Sequence, residues 1–186
     1  MTEISASSDL PPSIERFVLH WGEMGARWGV NRSVAQIHAL LFVAARPLTA
    51  EDIAETLHLA RSNVSTSLRE LLSWDIVKRV QVLGNRRDFY AAEGDMMEMV
   101  RRIAEGRKAR ELDPTIGLLR SCAAEAAGDK QVSADARARL AAMLQFTQAF
   151  DKAFDELLRL PSPTLLRLMR MGGAVAKLVA PRRHAR

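Results

Sequence analysis

A mainly α-helical protein with one small β-hairpin wing is predicted by three features of the sequence. Two helical apolar periods stand back to back between Pro47 and Asp75, two short alternating runs follow around Gly84-Asn85, and long helical seams flank this block on both sides. Helix, turn, helix and hairpin in that order make a winged helix-turn-helix. The flanking seams predict N- and C-terminal dimerisation helices. A hydrophobic content of 48% with only 5% aromatic residues agrees with a helical chain rich in Ala and Leu.

Residues 1–12 are Ser-rich and end in Pro11-Pro12, which predicts a disordered lead-in. Ser13 is placed to cap a helix from Ile14 to about Trp28, and residues 13–31 are expected to form an N-terminal dimerisation segment. Ile14, Phe17, Trp21, Met24 and Trp28 recur at alternating steps of three and four, a seam suited to a partner helix. Gly29-Val30-Asn31 then breaks the chain, and Arg32 to Ala45 forms the next helix, stopped by Arg46-Pro47.

Residues 32–93 are expected to be the DNA-binding domain. Thr49 can cap a helix whose third residue, Asp52, returns the bond, and Ile53, Ala54 and Leu57 give it one apolar face. The turn His58-Leu59-Ala60 contains neither Gly nor Pro. A second helix starts near Arg61 with Val64, Leu68, Leu71 and Leu72 toward the core. Arg61, Ser62, Asn63, Ser65, Thr66 and Arg69 then point outward, with lengths and donors that reach base edges and phosphates in a major groove. Ser, Thr and Asn are mediocre helix formers, so stability does not explain their concentration there. In the hairpin, Val77 to Val82 alternate, Gly84-Asn85 turns, and Asp88-Phe89-Tyr90 returns. Asn85, Arg86 and Arg87 sit at the tip, where cations enter a minor groove or hold phosphates.

These residues resemble the winged helix of the MarR superfamily, most closely its GbsR-type branch. The likeness runs from Arg16 to about Pro114, is densest in Arg32–Ala39 and Pro47–Ala92, and includes the segments Arg32–Leu41, Leu48–Ala54, Asn63-Val64-Ser65, Leu68–Leu71 and Gly84–Asp88. It implies a dimeric, sequence-specific regulator of transcription, a repressor responsive to a small-molecule effector, and for the GbsR-type branch an association with choline or glycine betaine. Two positions depart from the pattern. Ala60 stands where Ser often caps the recognition helix, and Asp75 stands where Gly usually ends it.

Residues 94–180 are expected to be a helical dimerisation and effector region. Gly94-Asp95 opens a helix with Met96, Met97, Met99, Val100 and Ile103, Asp113-Pro114 interrupts it, and Thr115 to Ala127 continues. Ser133 starts a long helix in which Leu140, Met143, Thr147, Phe150, Phe154 and Leu157 repeat at three-four spacing. Pro161 and Pro163 end it, a last helix spans Thr164 to about Val179, and residues 181–186 are expected to be a mobile basic tail. A two-fold dimer would cover both seams and set two recognition helices about one DNA turn apart.

The net charge of +5 is compatible with a nucleic-acid partner, and its placement is more telling. From Ala60 to Arg87 there are six Lys and Arg residues against Glu70 and Asp75. The single Cys122 allows no internal disulfide and fits a reducing cytoplasm, and no run approaches a membrane span. Four scattered His residues and one Cys give no zinc spacing, and the common phosphate-loop, nucleophile-elbow and metalloprotease motifs are missing. The sequence therefore predicts no enzyme, cofactor or metal site. Phe17, Trp21 and Trp28, with Phe146, Phe150 and Phe154, are the candidates for an aromatic cage, but packing explains their helical spacing better. A winged helix serving only protein interaction is the alternative function.

Overall fold

The computed structural model describes residues 10–179, with side chains through residue 172. Most of the expected lead-in and all of the basic tail, residues 181–186, lie outside the described residues. The chain divides into two compact units, one reaching to Ile103 and the other starting at Ala104.

In the first unit, α1 (Pro12–Arg27) and α2 (Arg32–Val43) are followed by β1 (Leu48–Thr49), α3 (Ala50–Leu57), α4 (Arg61–Ser73), β2 (Val77–Val80), β3 (Phe89–Ala92) and the first turns of α5 (Met96–Arg107). Ser13 does not cap α1. Pro11 occupies that position without a side-chain bond, and the helix starts two residues earlier because Pro12, with its fixed φ, is well suited to a first turn. For α2, Asn31 supplies the cap by accepting the Ser33 N–H at 2.9 Å.

The face by which α1 packs was not legible as a seam. Val18 and Gly22 are its buried residues. A Cβ on Gly22 would come within 2.5 Å of Gln36 Cγ, and one on Gly25 within 2.5 Å of Ala35 Cβ, so α1 and α2 cross at the distance only glycine permits. Of the expected partner-facing residues, Ile14, Phe17 and Trp21 pack partly against the core of their own chain, Met24 is half-buried, and only Trp28 is well exposed, at 62%. Much of that seam is thus spent within the chain.

The core gathers Ile37 and Leu40 of α2, Ile53 of α3, Val64, Leu68 and Leu71 of α4, Ile76, Val77 and Met99. Each helical residue falls on the three-four period that marks the inner face. The wing is a three-stranded antiparallel sheet, in the order β1-β3-β2. Strand β1 was not anticipated. Its two residues pair as Leu48 with Tyr90 and Thr49 with Phe89, a register that exists only once the hairpin is present. Thr49 also closes the capping box expected of it, accepting from Asp52 N at 3.1 Å while its own N–H donates to Asp52 Oδ2 at 2.9 Å. These bonds are the main reason the Asp52 carboxyl is held below its ordinary pKa.

In the second unit, α6 (Asp113–Gly128) packs on α7 (Ala134–Leu158), and α8 (Ser162–Val179) follows. Ser133 caps α7 as expected, accepting from Ala136 N. The break expected at Asp113-Pro114 does not occur. A π-helical turn, Lys108–Leu112, leads directly into α6. Pro114 has no N–H for the carbonyl four residues back, and the wider π turn absorbs the missing bond. Lys108 Nζ in that turn lies 2.8 Å from Asp113, 2.9 Å from Asp151 and 3.5 Å from Asp155. The carboxylates hold its pKa above the ordinary lysine value.

No helix among the described residues is long and apolar enough to cross a membrane.

Candidate nucleic-acid interface

The N-terminal half of α4 presents a polar surface because its apolar residues are committed to the core. Val64, Leu68 and Leu71 are buried, and Arg61, Ser62, Ser65, Thr66 and Arg69 are exposed. The turn before α4 depends on His58, which takes φ 52 and lets the N–H groups of His58 and Leu59 bond back to α3 carbonyls. A histidine does there what glycine usually does. Ala60 gives α4 no side-chain cap, so the first N–H groups of the helix are left without one.

Two side chains on this face are restrained. Arg61 reaches Glu51 of α3 at 3.2 Å, and Arg69 Nη2 donates to Thr66 Oγ1 at 3.4 Å. Asn63 requires a correction. Its place among the outward-facing residues does not hold, because the side chain turns toward α2 and is half-buried. Its Nδ2 donates to Ser33 Oγ at 2.9 Å, and its Oδ1 accepts from the buried Ser67 Oγ at 3.3 Å. Both ends of the amide are used: the Nδ2 bond ties α4 to α2, and the Oδ1 bond to Ser67 within α4 holds the side chain in that orientation. Ser33 and Ser67 belong to the machinery of the site for that reason. The Asn63–Ser67 spacing of four residues hinted at the pair, but nothing local pointed to Ser33.

The wing also differs from the expected tight turn. Strand pairing ends at Val80 with Phe89, so residues 81–88 form a longer tip. Asn85 is half-buried, and its Oδ1 accepts from Arg87 N at 3.1 Å and Arg87 Nε at 3.4 Å. Arg87 also lies 5.8 Å from the Phe89 ring centre, a cation–π distance. Arg79 pairs with Asp88 at 3.8 Å. Arg86 is exposed.

At the base of the wing, Arg102 of α5 gathers several chain segments. Its guanidinium donates to the Asp75 carbonyl and lies 2.8 Å from the Asp75 carboxylate, 2.9 Å from Glu98 and 3.5 Å from Glu93. Glu93 also takes Lys78 of β2 at 3.0 Å, the principal cause of its lowered pKa. Asp75 has φ 56, the left-handed conformation usually reserved for glycine. Its side chain explains the substitution, since glycine has no carboxylate to offer Arg102. The end of α4, the wing and α5 are thereby joined by charge-assisted bonds.

His38 on α2 is a buried polar residue whose Nε2 meets no hydrogen-bond partner among the described residues. Burial lowers its pKa to about 4. Near it, Phe17, Trp21, Phe42, Met96 and Met99 line an apolar cavity of about 80 Å³. No cluster of His, Cys, Asp and Glu suited to a metal occurs among the described residues.

A family model described as MarR family matches residues 25–88, from the end of α1 through the wing tip. A crystal structure described as a transcriptional regulator superposes with a TM-score of 0.62, covering 79% of this chain and 96% of that one at 17% identity. At that identity the likeness concerns the fold, which is a winged helix-turn-helix. No curated protein matches the chain.

Proposed function

We propose that this protein is a dimeric, sequence-specific DNA-binding regulator of transcription. In this reading it is a repressor released by a small-molecule effector, as its likeness to the GbsR-type branch implies. The observation that carries the proposal is the exposed face of α4. Ser62, Ser65, Thr66 and Arg69 stand clear of the core on a helix whose orientation Asn63 fixes from behind. The absent Ala60 cap supports the same reading. Uncapped N–H groups at a helix start are suited to a backbone phosphate, which would supply the missing acceptor. Arg86 on the wing would add a minor-groove or phosphate contact.

The exposed apolar residues of α7 support a homodimer, since Met143, Phe146, Phe150 and Leu157 have no cover in one chain. Phe154, half-buried, stacks on Phe150 at 5.8 Å and extends this surface inward with Leu140. For the effector, the cavity beside His38 offers apolar walls but is smaller than ordinary ligand sites of about 300–1,000 Å³. An effector acting there would have to widen it, moving α1 or α5 as it did so. Phe17, Trp21 and Phe42 line it together with His38, ring faces that suit an apolar group or a quaternary ammonium.

Fluorescence anisotropy with DNA upstream of the protein's own gene, against scrambled DNA at several salt concentrations, tests the reading. The expected result is tighter binding to the upstream DNA, with affinity falling linearly in log salt. Arg69→Ala should cost about 1–3 kcal/mol on the preferred sequence and relax its selectivity, whereas Arg86→Ala should weaken all sequences and reduce the salt slope by about one. Absence of DNA binding even at low salt would overturn the proposal in favour of a protein-interaction module.

A further inference from the structure

The tip of the wing carries a side chain that phosphate contacts and base reading by α4 leave unused. The Val82 carbonyl accepts from Asn85 N at 3.0 Å and Gly84 has φ 79, so Val82–Asn85 is a β-turn with its third residue left-handed. This is the requirement of a type II turn, and it places Leu83 at the second position, which tolerates most residues. Leu83 is 103% exposed, the most of any large apolar residue described, and its neighbour Val82 is 39% exposed.

Nothing in the fold asks for leucine there. Gly84 supplies the unusual φ, and Asn85 fixes the following backbone through Arg87. A polar residue would serve the turn equally well and keep the tip better hydrated. The surroundings suggest what the leucine meets. Arg87 is drawn back over Phe89 and Arg79 is paired with Asp88, which leaves Arg86 as the exposed cation of the tip without a partner among the described residues. An apolar point next to a free cation suits a surface that is anionic at its edges and apolar a few ångströms deeper. A DNA minor groove, with phosphates at the rim and stacked bases at the floor, has that profile.

We propose that Leu83 is a wedge that enters the minor groove and partly unstacks one base step, so that the protein bends the DNA it binds. The inference rests on the DNA-binding reading and deepens it. Arg86 holds the rim while the leucine displaces water from the base edges, and its burial recovers in the complex what its exposure costs in the free protein. Steps that unstack most easily, TA and CA/TG, would be preferred under the wing although no hydrogen bond reads them.

The test uses the full-length protein and 40-base-pair duplexes that it has itself enriched from a random library. Donor and acceptor dyes at the duplex ends report bending, and 2-aminopurine placed under the wing reports unstacking. Wild-type protein should shorten the end-to-end distance, consistent with a bend of about 20–90°, and brighten the 2-aminopurine. Leu83→Ala should still bind, roughly tenfold more weakly as expected for losing one buried aliphatic group, with both signals near those of free DNA. Leu83→Met should restore both signals. Since Leu83 touches nothing in the fold, an unchanged circular dichroism spectrum and Tm should accompany these variants. Tight binding of wild type to straight DNA, or wild-type bending by Leu83→Ala, would overturn the wedge alone. Failure to enrich any duplex would overturn the DNA-binding reading and the wedge together.

Discussion

The two units of this chain bury their apolar residues by different means. In the first, Ile37, Ile53, Val64 and Leu71 have no exposed surface at all, and glycine contacts bring α1 against α2. In the second, Ile116 and Ala126 are the buried apolar residues among those described, and α7, 25 residues long, has none. Leu118, Phe146 and Met169 instead stand more than three-fifths exposed. Helices of this length gain little from propensity alone, since most helical stability comes from packing an apolar face. The first unit is completed by its own chain. The second leaves apolar faces uncovered among its described residues.

The largest effects expected from this contrast come from one substitution in each unit. Leu71→Ala removes a fully buried side chain and should destabilise the first unit by about 2–5 kcal/mol, seen as a lower urea midpoint. Phe150→Glu alters a half-exposed residue and should leave that midpoint nearly unchanged. It should weaken self-association by at least about a hundredfold, because a charge buried in an apolar interface is costly. Sedimentation at micromolar concentration should therefore show a dimer for Leu71→Ala wherever it remains folded, and a monomer for Phe150→Glu. A wild-type protein that sediments as a monomer, or a Phe150→Glu variant that remains dimeric, would break the comparison.

The same contrast explains what could be read from the sequence. The capping box of Thr49 and Asp52, the Ser133 cap and the inner face of α4 depend on neighbours within four residues, and each was legible. Strand β1 was not, because two residues become a strand only when Tyr90 and Phe89 arrive beside them. The inward turn of Asn63 depends on Ser33, thirty residues earlier. A residue type that suits base recognition equally suits a buried network, and composition cannot distinguish the two. The α1 seam is ambiguous in a related way. A three-four repeat identifies an apolar face but not whether the chain or a partner covers it, and the close α1–α2 crossing was marked only by two glycines.

A smaller effect follows from acid. His38 is folded into the first unit with its pKa lowered to about 4 from an ordinary 6.5. Between these values the unfolded chain binds the proton and the native protein does not, so stability rises with pH across that window. The full contribution is present above about pH 6.5 and is lost as the pH falls toward 4, a change of about 3 kcal/mol at 1.36 kcal/mol per unit. Asp52 and Glu93, both held low, act in the same sense at lower pH, their stabilisation being lost as the pH falls through their folded pKa values. Urea melts between pH 4 and pH 7 should show the slope. His38→Phe, which removes the titrating group and its unpartnered Nε2, should flatten it without loss at pH 7. A slope that persists in His38→Phe would assign it to other groups.

The smallest effect concerns the position where a local rule is broken. Asp75 occupies a left-handed conformation that costs a non-glycine residue roughly 1–2 kcal/mol. Asp75→Gly relieves that strain but gives up the carboxylate 2.8 Å from Arg102, an ion pair that is partly exposed and therefore worth at most about 1 kcal/mol. It also increases the freedom of the unfolded chain, which offsets part of the gain. The backbone carbonyl of residue 75 would still accept from Arg102. The terms nearly cancel, so Asp75→Gly should shift stability by no more than about 1 kcal/mol, in the stabilising direction. Arg102→Ala should instead destabilise by about 1–2 kcal/mol, because it retains the strain, removes the donor to that carbonyl and leaves Glu93 and Glu98 without their shared cation. The order of the two effects is the sharper observable. If Asp75→Gly proved the more damaging change, the carboxylate rather than the arginine would be the centre of the joint, and strain relief would have been overestimated. If the order holds, Asp75 keeps an unfavourable backbone at the end of α4 because its side chain ties that helix to α5, a link that glycine cannot make.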